Sequence, residues 1–405
     1  MGKKPMKAFE AILEKATAKG ANNVPGAAMA VVDKDGKYVY KKVAGYSGVA
    51  EDAKPLKFDQ TFFVASCTKL VTSIAAMQCV ERGLIGLDDT IDNYLPELAA
   101  QPVASLKSPT EFELKPAKNS ITLRQLVTHS SGVVYDSFDP AITLWRASHN
   151  ETPNFPPTDG LVATSFAYPR AFDAGESWMY GGGLDWTSLL VARLNNVSFE
   201  DYVTKHIAKP LHLKAFTWHL SRHPEVGKKL MASSFRGEDG KLVPGTTPPW
   251  PEPVGEGGGA GIFTTVHDYT RVLADLLKDK PVLLSPSSID QFFSPQFAPG
   301  SGPAQGMVTN DEQTWGPVLG AHTDGVSMNH GLGGALVMED VDRKDYFKPK
   351  GTLTWSGMLN LMWSVNRERG LALFYATQVL PWNDAKTFKL ASDFETAVWR
   401  EIGKC

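Results

Sequence analysis

The chain has 405 residues, 42% hydrophobic and 21% charged, enough to bury a sizeable core in two domains or one large discontinuous one. A net charge of −3 removes any electrostatic case for nucleic acid or an anionic membrane as partner. Three cysteines, Cys67, Cys79 and Cys405, are too few and too irregular for a disulfide framework and fit a reducing compartment.

In chain order, Met1 to Met6 leads into a charged amphipathic stretch without the apolar centre of a signal peptide. No run is long enough to span a membrane, so a cytoplasmic protein is expected. Gly2 is not read as a lipidation site, because Met6 stands where Ser or Thr is wanted. Asn150-Glu151-Thr152 and Asn196-Val197-Ser198 are read as plain surface loops.

Met6, Phe9, Ile12, Leu13 and Ala16 recur at helical spacing, and Gly20 stops the helix. Pro25-Gly26 turns the chain into an apolar strand, Ala27 to Val32. Asp33-Lys34-Asp35-Gly36 makes a hairpin turn into a return strand, Tyr38 to Val43. Helical patterns follow over 68–82, 121–129, 184–194 and 199–207. The Pro- and Gly-dense segment 244–261 is a loop, either a domain connection or a wall of a site, and 296–326 is also read as loop. Segments 334–339, 351–355, 359–365 and 371–377 are rich in branched and aromatic residues and read as strands. The stretch 392–401 reads as a closing helix. Strands at both ends and helices between them predict an α/β protein of the α+β type. One antiparallel sheet is built from both termini and flanked by helices, with a mostly helical domain inserted. Residues 1–65 with 260–405 form the sheet domain, 66–259 the helical one, and the active site lies in the cleft between them.

Three features carry chemistry. Ser66 and Lys69 form the only Ser-x-x-Lys of the chain, at the start of a predicted helix. There positions i and i+3 share a face and bring the amine beside the hydroxyl. A hydroxyl is a poor nucleophile until a nearby base takes its proton. Tyr180 precedes Gly181, Gly182 and Gly183, which let backbone approach a ligand closely. Trp355-Ser356-Gly357-Met358 ends a strand, where a small residue and a Gly aim a backbone N–H into a cleft. Each feature alone is an ordinary structural one. Their order along the chain is what points to a site.

In that order, the features resemble the serine β-lactamase and penicillin-binding-protein superfamily, over the whole chain. The resemblance is closest to the fungal acyltransferase branch that acylates lovastatin-type polyketides. It is carried by residues 64–70, 75–98, 121–132, 175–186, 331–340 and 350–384. It implies a β-lactamase/transpeptidase-like fold in which Ser66 attacks an ester or thioester and becomes acylated. Lys69 and Tyr180 form the base system, with the order of proton transfer left open. Tyr180 then activates the incoming alcohol or water, and the N–H groups of Ser66 and Met358 hold the oxyanion. Trp355, Ser356, Gly357, Gly181, Gly182 and His330 are implied on the substrate side. The partners implied are a small-molecule acyl donor and acceptor, with a carrier-protein thioester as a further form of donor. No cofactor and no metal are expected.

The departures from the superfamily pattern matter as much. Gly182 replaces the Asn of Tyr-x-Asn, and Trp355-Ser356-Gly357 replaces Lys-Thr-Gly. The lost Lys would attract a substrate carboxylate, whereas Trp offers apolar contact. The expected activity is therefore acyl transfer to a polyketide-like hydroxyl. A carboxylesterase of the same fold is the alternative, ahead of a β-lactamase, a D-Ala-D-Ala peptidase or an inactive binding scaffold. His129 is read as closing a helix end. His219 and His223, at i and i+4, lack an evident acidic partner, and no metal site is expected there. Cys67 is read as packed inside, and the run Gly257 to Gly261 as a loop near the acyl pocket.

Overall fold

The structure is a computed structural model that describes residues 6–153, 161–309 and 326–403. The start of the chain through Pro5, Cys405, and residues 310–325 of the expected 296–326 loop lie outside the described residues. Helix α1 (Lys7–Ala16) leads into the hairpin β1 (Gly26–Asp33) and β2 (Tyr38–Gly45). The long central helices are α2 (Thr68–Glu81), α3 (Gly183–Asn195) and α4 (Val266–Leu277). Five further strands follow: β3 (Met328–His330), β4 (Ala335–Val337), β5 (Leu353–Gly357), β6 (Leu361–Asn366) and β7 (Leu371–Ala376). Helix α5 (Ala385–Ala397) comes after them.

These strands form one seven-stranded sheet in the order β3-β4-β5-β6-β7-β1-β2, antiparallel at every pairing. The N-terminal hairpin thus completes a sheet whose other strands come from the C-terminal part, as the apolar pattern at both ends predicts. Strand β1 is buried on both faces, which explains its continuous apolar run. With a period of two, Ala27, Met29 and Val31 face one core with Phe9, Leu13, Phe394 and Trp399. Ala28, Ala30 and Val32 face the larger core with Leu70, Ile74, Tyr269 and Trp363. Helices α1 and α5 therefore cover one face of the sheet, and α2 and α4 pack in the core on the other. Burying a side chain such as Met29 or Phe394 contributes about 1.5–3 kcal/mol.

Several elements differ from the sequence expectation. Helix α5 begins at Ala385, not 392, because Asp384 caps it by accepting from the Thr387 N–H while paired with Arg236. The piece expected over 121–129 shortens to Leu123–Val127. A Thr122/Gln125 capping box starts it, and His129 with φ 58° ends it. Gly302–Thr309 is a helix inside the segment read as loop. Helix α4 was not anticipated. Thr265 caps it, and Val266, Tyr269, Val272, Leu273 and Leu276 form its buried face. Among the described residues, no helix is long and apolar enough to cross a membrane.

Candidate active site

Helix α2 is buried almost all round, from Thr68 to Cys79, which is the signature of a helix through the middle of a core. A 3-10 turn over Ala65–Cys67 precedes it, and Ala65 takes φ 45°, a left-handed conformation that costs a side-chain-bearing residue about 1–3 kcal/mol. The strained turn lifts Ser66 into a cleft while Lys69, one turn on, stays 3% exposed beneath it.

Ser66 Oγ lies 2.6 Å from Tyr180 Oη, in hydrogen-bond contact. Lys69 Nζ donates to Ser66 Oγ at 3.3 Å, to Tyr135 Oη at 2.9 Å and to the Gly259 carbonyl at 2.8 Å. The same nitrogen lies 4.7 Å from the centre of the Tyr180 ring, where a cation favours the ring face and negative charge on its oxygen. Strand β5 ends against this turn. A Cβ on Gly357 would come within 2.5 Å of the Val64 carbonyl, so only Gly lets the strand end approach Ser66 so closely. Met358, the next residue, lines the cleft with Ser66.

The cleft has an open volume of about 1040 Å³ including the solvent at its mouth. Its walls are mainly apolar: Phe63, Trp250, Phe263, Trp355, Met358 and Trp382 are prominent. No Lys or Arg lines it among the described residues, and its one acidic group is Asp185. The Pro- and Gly-dense segment forms one wall, through Trp250, Pro251, Pro253 and Gly257. Of the two roles open for that segment, the wall is the one seen.

Trp355, Ser356 and Met358 face the cleft, with Ser66 and Tyr180. Gly181, Gly182 and His330 do not, which corrects their expected place on the substrate side. A Cβ on Gly181 would meet the Val133 carbonyl at 2.2 Å, and one on Gly182 the Phe166 ring at 2.2 Å. These glycines let the Tyr180 segment pack on the protein rather than on a ligand. Gly357 likewise faces Val64 and Cys67. His330 is buried behind Trp355, its ring 5.8 Å from the indole and 5.7 Å from His129. Burial lowers the His330 pKa to about 4 and pushes that of His129 well below the usual range, so both rings are neutral at pH 7. His129 stacks on Trp355 at 5.7 Å and accepts from the Gly181 N–H at 3.4 Å. It thus ties the Tyr180 segment to β5 as well as ending a helix. Burial pushes the Cys67 thiol strongly upward, which leaves it inert.

Gly181→Ala tests this packing. Its Cβ would press on backbone that cannot swing away, so the variant should lose about 2 kcal/mol of stability along with activity. An unchanged melting temperature would contradict the structure here.

Sequence reasoning missed two polar residues of the site. Tyr135 follows the helical piece ended by His129 and belongs to no motif. Its hydroxyl meets Lys69, and burial raises its pKa well above the usual range. Asp185 lies in the first turn of α3 and accepts from the Gly259 N–H at 3.0 Å. Burial raises its pKa from 3.8 to about 6 against the pull of Lys69. The stability linked to protonated Asp185 is complete below pH 3.8 and lost as pH rises through about 6, a difference of roughly 3 kcal/mol. Asp185→Asn should therefore melt above the wild type at pH 8, with the gap closing as pH falls from 6 to 4. A gap independent of pH would contradict the assignment.

His219 does have acidic partners, contrary to the expectation from spacing. Its Nδ1 lies 2.5 Å from Glu200 and 3.8 Å from Glu256, its Nε2 lies 3.2 Å from the Pro253 carbonyl, and Arg222 also reaches Glu200. The group Glu200, His219 and Glu256 is close enough to hold a metal ion. It lies behind the 250–261 wall, and its contacts tie that wall to the helical part of the chain. His223 is not in it and pairs with Glu225.

The family profile described as Beta-lactamase matches residues 9–397. The chain is 35% identical to "Acyltransferase calJ" of Penicillium decumbens, over 98% of this chain and 99% of that one. It is 34% identical to "Lovastatin esterase" of Penicillium rubens, over 93% and 95% of the two chains. The solved structure of unliganded simvastatin synthase from Aspergillus terreus, 29% identical, superposes with a TM-score of 0.87 and covers 100% of both chains.

Proposed function

The chain belongs to the β-lactamase family, and from that premise we propose that it is a serine acyltransferase. An acyl group passes from a thioester or ester donor, through an acyl-Ser66 intermediate, to the hydroxyl of a hydrophobic, polyketide-like small molecule. The observation that carries this reading is the Tyr180–Ser66–Lys69 contact set opening onto a cleft with aromatic walls. The named activities of the relatives, an acyltransferase and a lovastatin esterase, support the same chemistry. With no Lys or Arg on the cleft wall among the described residues, an uncharged acyl group is favoured over one carrying a carboxylate.

In this mechanism Ser66 Oγ gives its proton to the Tyr180 phenolate, stabilised by the adjacent Lys69 ammonium, and bonds to the donor carbonyl. The N–H groups of Ser66 and Met358 hold the oxyanion as the tetrahedral centre forms. The thiolate or alkoxide leaves and takes the proton from Tyr180. The acceptor hydroxyl then repeats the sequence in reverse and carries off the acyl group. The donor is a small acyl thioester or a carrier-protein thioester, and the reaction runs in the cytoplasm. Residues 1–65 with 260–405 act as the sheet domain and 66–259 as the helical domain, with this cleft between them.

A carboxylesterase is the second reading, favoured by the esterase relative. The two differ only in whether water or alcohol reaches the acyl-enzyme first. Incubation with a panel of acyl thioesters and activated esters, with and without a hydrophobic alcohol, separates them by product. Acylated alcohol formed in the presence of Ser66 is expected. Rapid hydrolysis with no acylated alcohol from any donor would overturn the transferase reading.

A further inference from the structure

The buried group Glu200, His219 and Glu256 holds more acceptors than its protons serve. His219 Nδ1 lies 2.5 Å from one Glu200 oxygen, and the single N–H it can carry is taken up there. Glu256 points at the same nitrogen from 3.8 Å, beyond hydrogen-bond reach. The Glu256 side chain is only 9% exposed, and its carboxylate accepts no hydrogen bond among the described residues. Burying a carboxylate without a partner is expensive.

The remaining polar atoms of Glu200 and His219 are held from outside the group. The second Glu200 oxygen accepts from the Thr217 hydroxyl, and from the Trp218 N–H at 3.0 Å. His219 Nε2 donates to the Pro253 carbonyl at 3.2 Å. Outer hydrogen bonds of this kind fix the tautomer and the aim of metal-bound imidazole and carboxylate groups. Here they leave one ring nitrogen and two carboxylates converging on one point, with the ligand atoms all within 4.8 Å of one another. Zinc sits about 2.0–2.2 Å from nitrogen and carboxylate ligands, so tetrahedral ligands stand roughly 3.4 Å apart. The separations of 2.5 Å and 3.8 Å from Nδ1 bracket that spacing. Arg222 reaches Glu200 at 3.4 Å, but its side chain is 59% exposed and free to swing into solvent.

We propose that Glu200, His219 and Glu256 form a site for one divalent transition-metal ion, zinc in the first place. The ion binds Nδ1 and one oxygen of each carboxylate, the Nδ1 proton passes to solvent, and water takes the fourth position. One imidazole with two carboxylates suits zinc and its first-row neighbours, whereas magnesium and calcium favour ligand sets of oxygen alone.

The ion staples the cleft wall. Glu200 lies in the short helix Phe199–Val203, and His219 follows the short strand Phe216–Thr217. Glu256 and Pro253 belong to the wall that presents Trp250, Pro251 and Pro253 to the cleft. The far part of that wall has ties of its own. Trp218 Nε1 donates to the Gly257 carbonyl at 3.0 Å and to the Ala260 carbonyl at 3.2 Å, and the Gly259 N–H donates to Asp185. The part over 250–256 is tied at the surface by Glu252 to Ser221, and inside by this group. The ion therefore acts on 250–256 more than on 257–261.

The test needs no turnover and stands apart from the acyl-Ser66 reading. Chelator-treated protein is titrated with zinc chloride in a calorimeter, with magnesium chloride as control. One equivalent of zinc should bind with a dissociation constant on the order of 1 µM or lower, and magnesium roughly 100-fold more weakly or worse. Hydrogen exchange over 250–256 should slow when zinc is added, with little change over 257–261. Glu256→Gln removes a ligand that makes no hydrogen bond, and zinc should bind it more weakly by about 10-fold or more. His223→Ala, which removes an exposed imidazole paired with Glu225, should bind zinc as the wild type does. If Glu256→Gln does not fold, X-ray absorption of the wild-type zinc complex decides, and a shell without one imidazole overturns the site. Absence of zinc binding, binding unchanged in Glu256→Gln, binding lost in His223→Ala, or magnesium binding of equal strength would also overturn it. Zinc bound at these ligands without slower exchange over 250–256 would overturn the staple.

Discussion

Ser66→Ala is expected to lower kcat/KM for acyl transfer by on the order of 10⁴-fold or more, with folding intact. The hydroxyl oxygen is reached by both Tyr180 and Lys69. Removing it deletes the atom that forms the covalent bond, so oxyanion stabilisation and binding are all that remain. The Ala65–Cys67 turn already holds Ala65 in a left-handed conformation, and losing one hydroxyl oxygen at the cleft floor adds no steric demand. Steady-state rates with a thioester donor and intact-mass measurement of the adduct check this together. A variant that still forms the adduct would move the nucleophile elsewhere.

Tyr180→Phe should cost about 10³-fold in the same rate, within the range for loss of a positioned acid–base group. The ring has many neighbours that Phe preserves. His129 lies 5.0 Å away, Tyr135 5.2 Å and Trp355 5.4 Å. Stability should therefore change little, and the loss should fall on kcat for both acylation and discharge. Tyr135→Phe is the informative comparison. Its hydroxyl accepts from Lys69, one step behind the reacting oxygen, so its effect should be smaller and show in the pH profile. Equal losses in Tyr180→Phe and Tyr135→Phe would contradict the division of roles proposed here.

The elements legible in the sequence were those whose burial is simple. Strand β1 and the strands β5 to β7 show apolar runs because both of their faces are covered. The pairing of Ser66 with Lys69 was legible because helix geometry fixes positions three apart. Tyr180 stood out beside its three glycines, but its pairing with Ser66 came from the resemblance, since 114 residues separate them and only the fold joins them. Tyr135 and Asp185 were missed for the same reason, without a motif to mark them. The glycines beside Tyr180 misled. Glycine signals a close approach, but the approach at Gly181 is to Val133 and at Gly182 to Phe166. His219 was misjudged because local spacing cannot show Glu200 or Glu256 folding back onto it. Helix α4 carried a readable cap in Thr265 and a 3.6-residue pattern that was passed over.

The most direct test of the central claim follows one acyl group. The wild-type protein would be acylated with a stoichiometric thioester donor and freed of excess. The adduct would be located by peptide mass and its decay timed in buffer with and without a hydrophobic alcohol. The account predicts an adduct on Ser66 that persists in water, clears quickly with the alcohol and yields an equal amount of the new ester. An adduct on another residue, or one that clears equally fast with and without alcohol and yields only free acid, would contradict it.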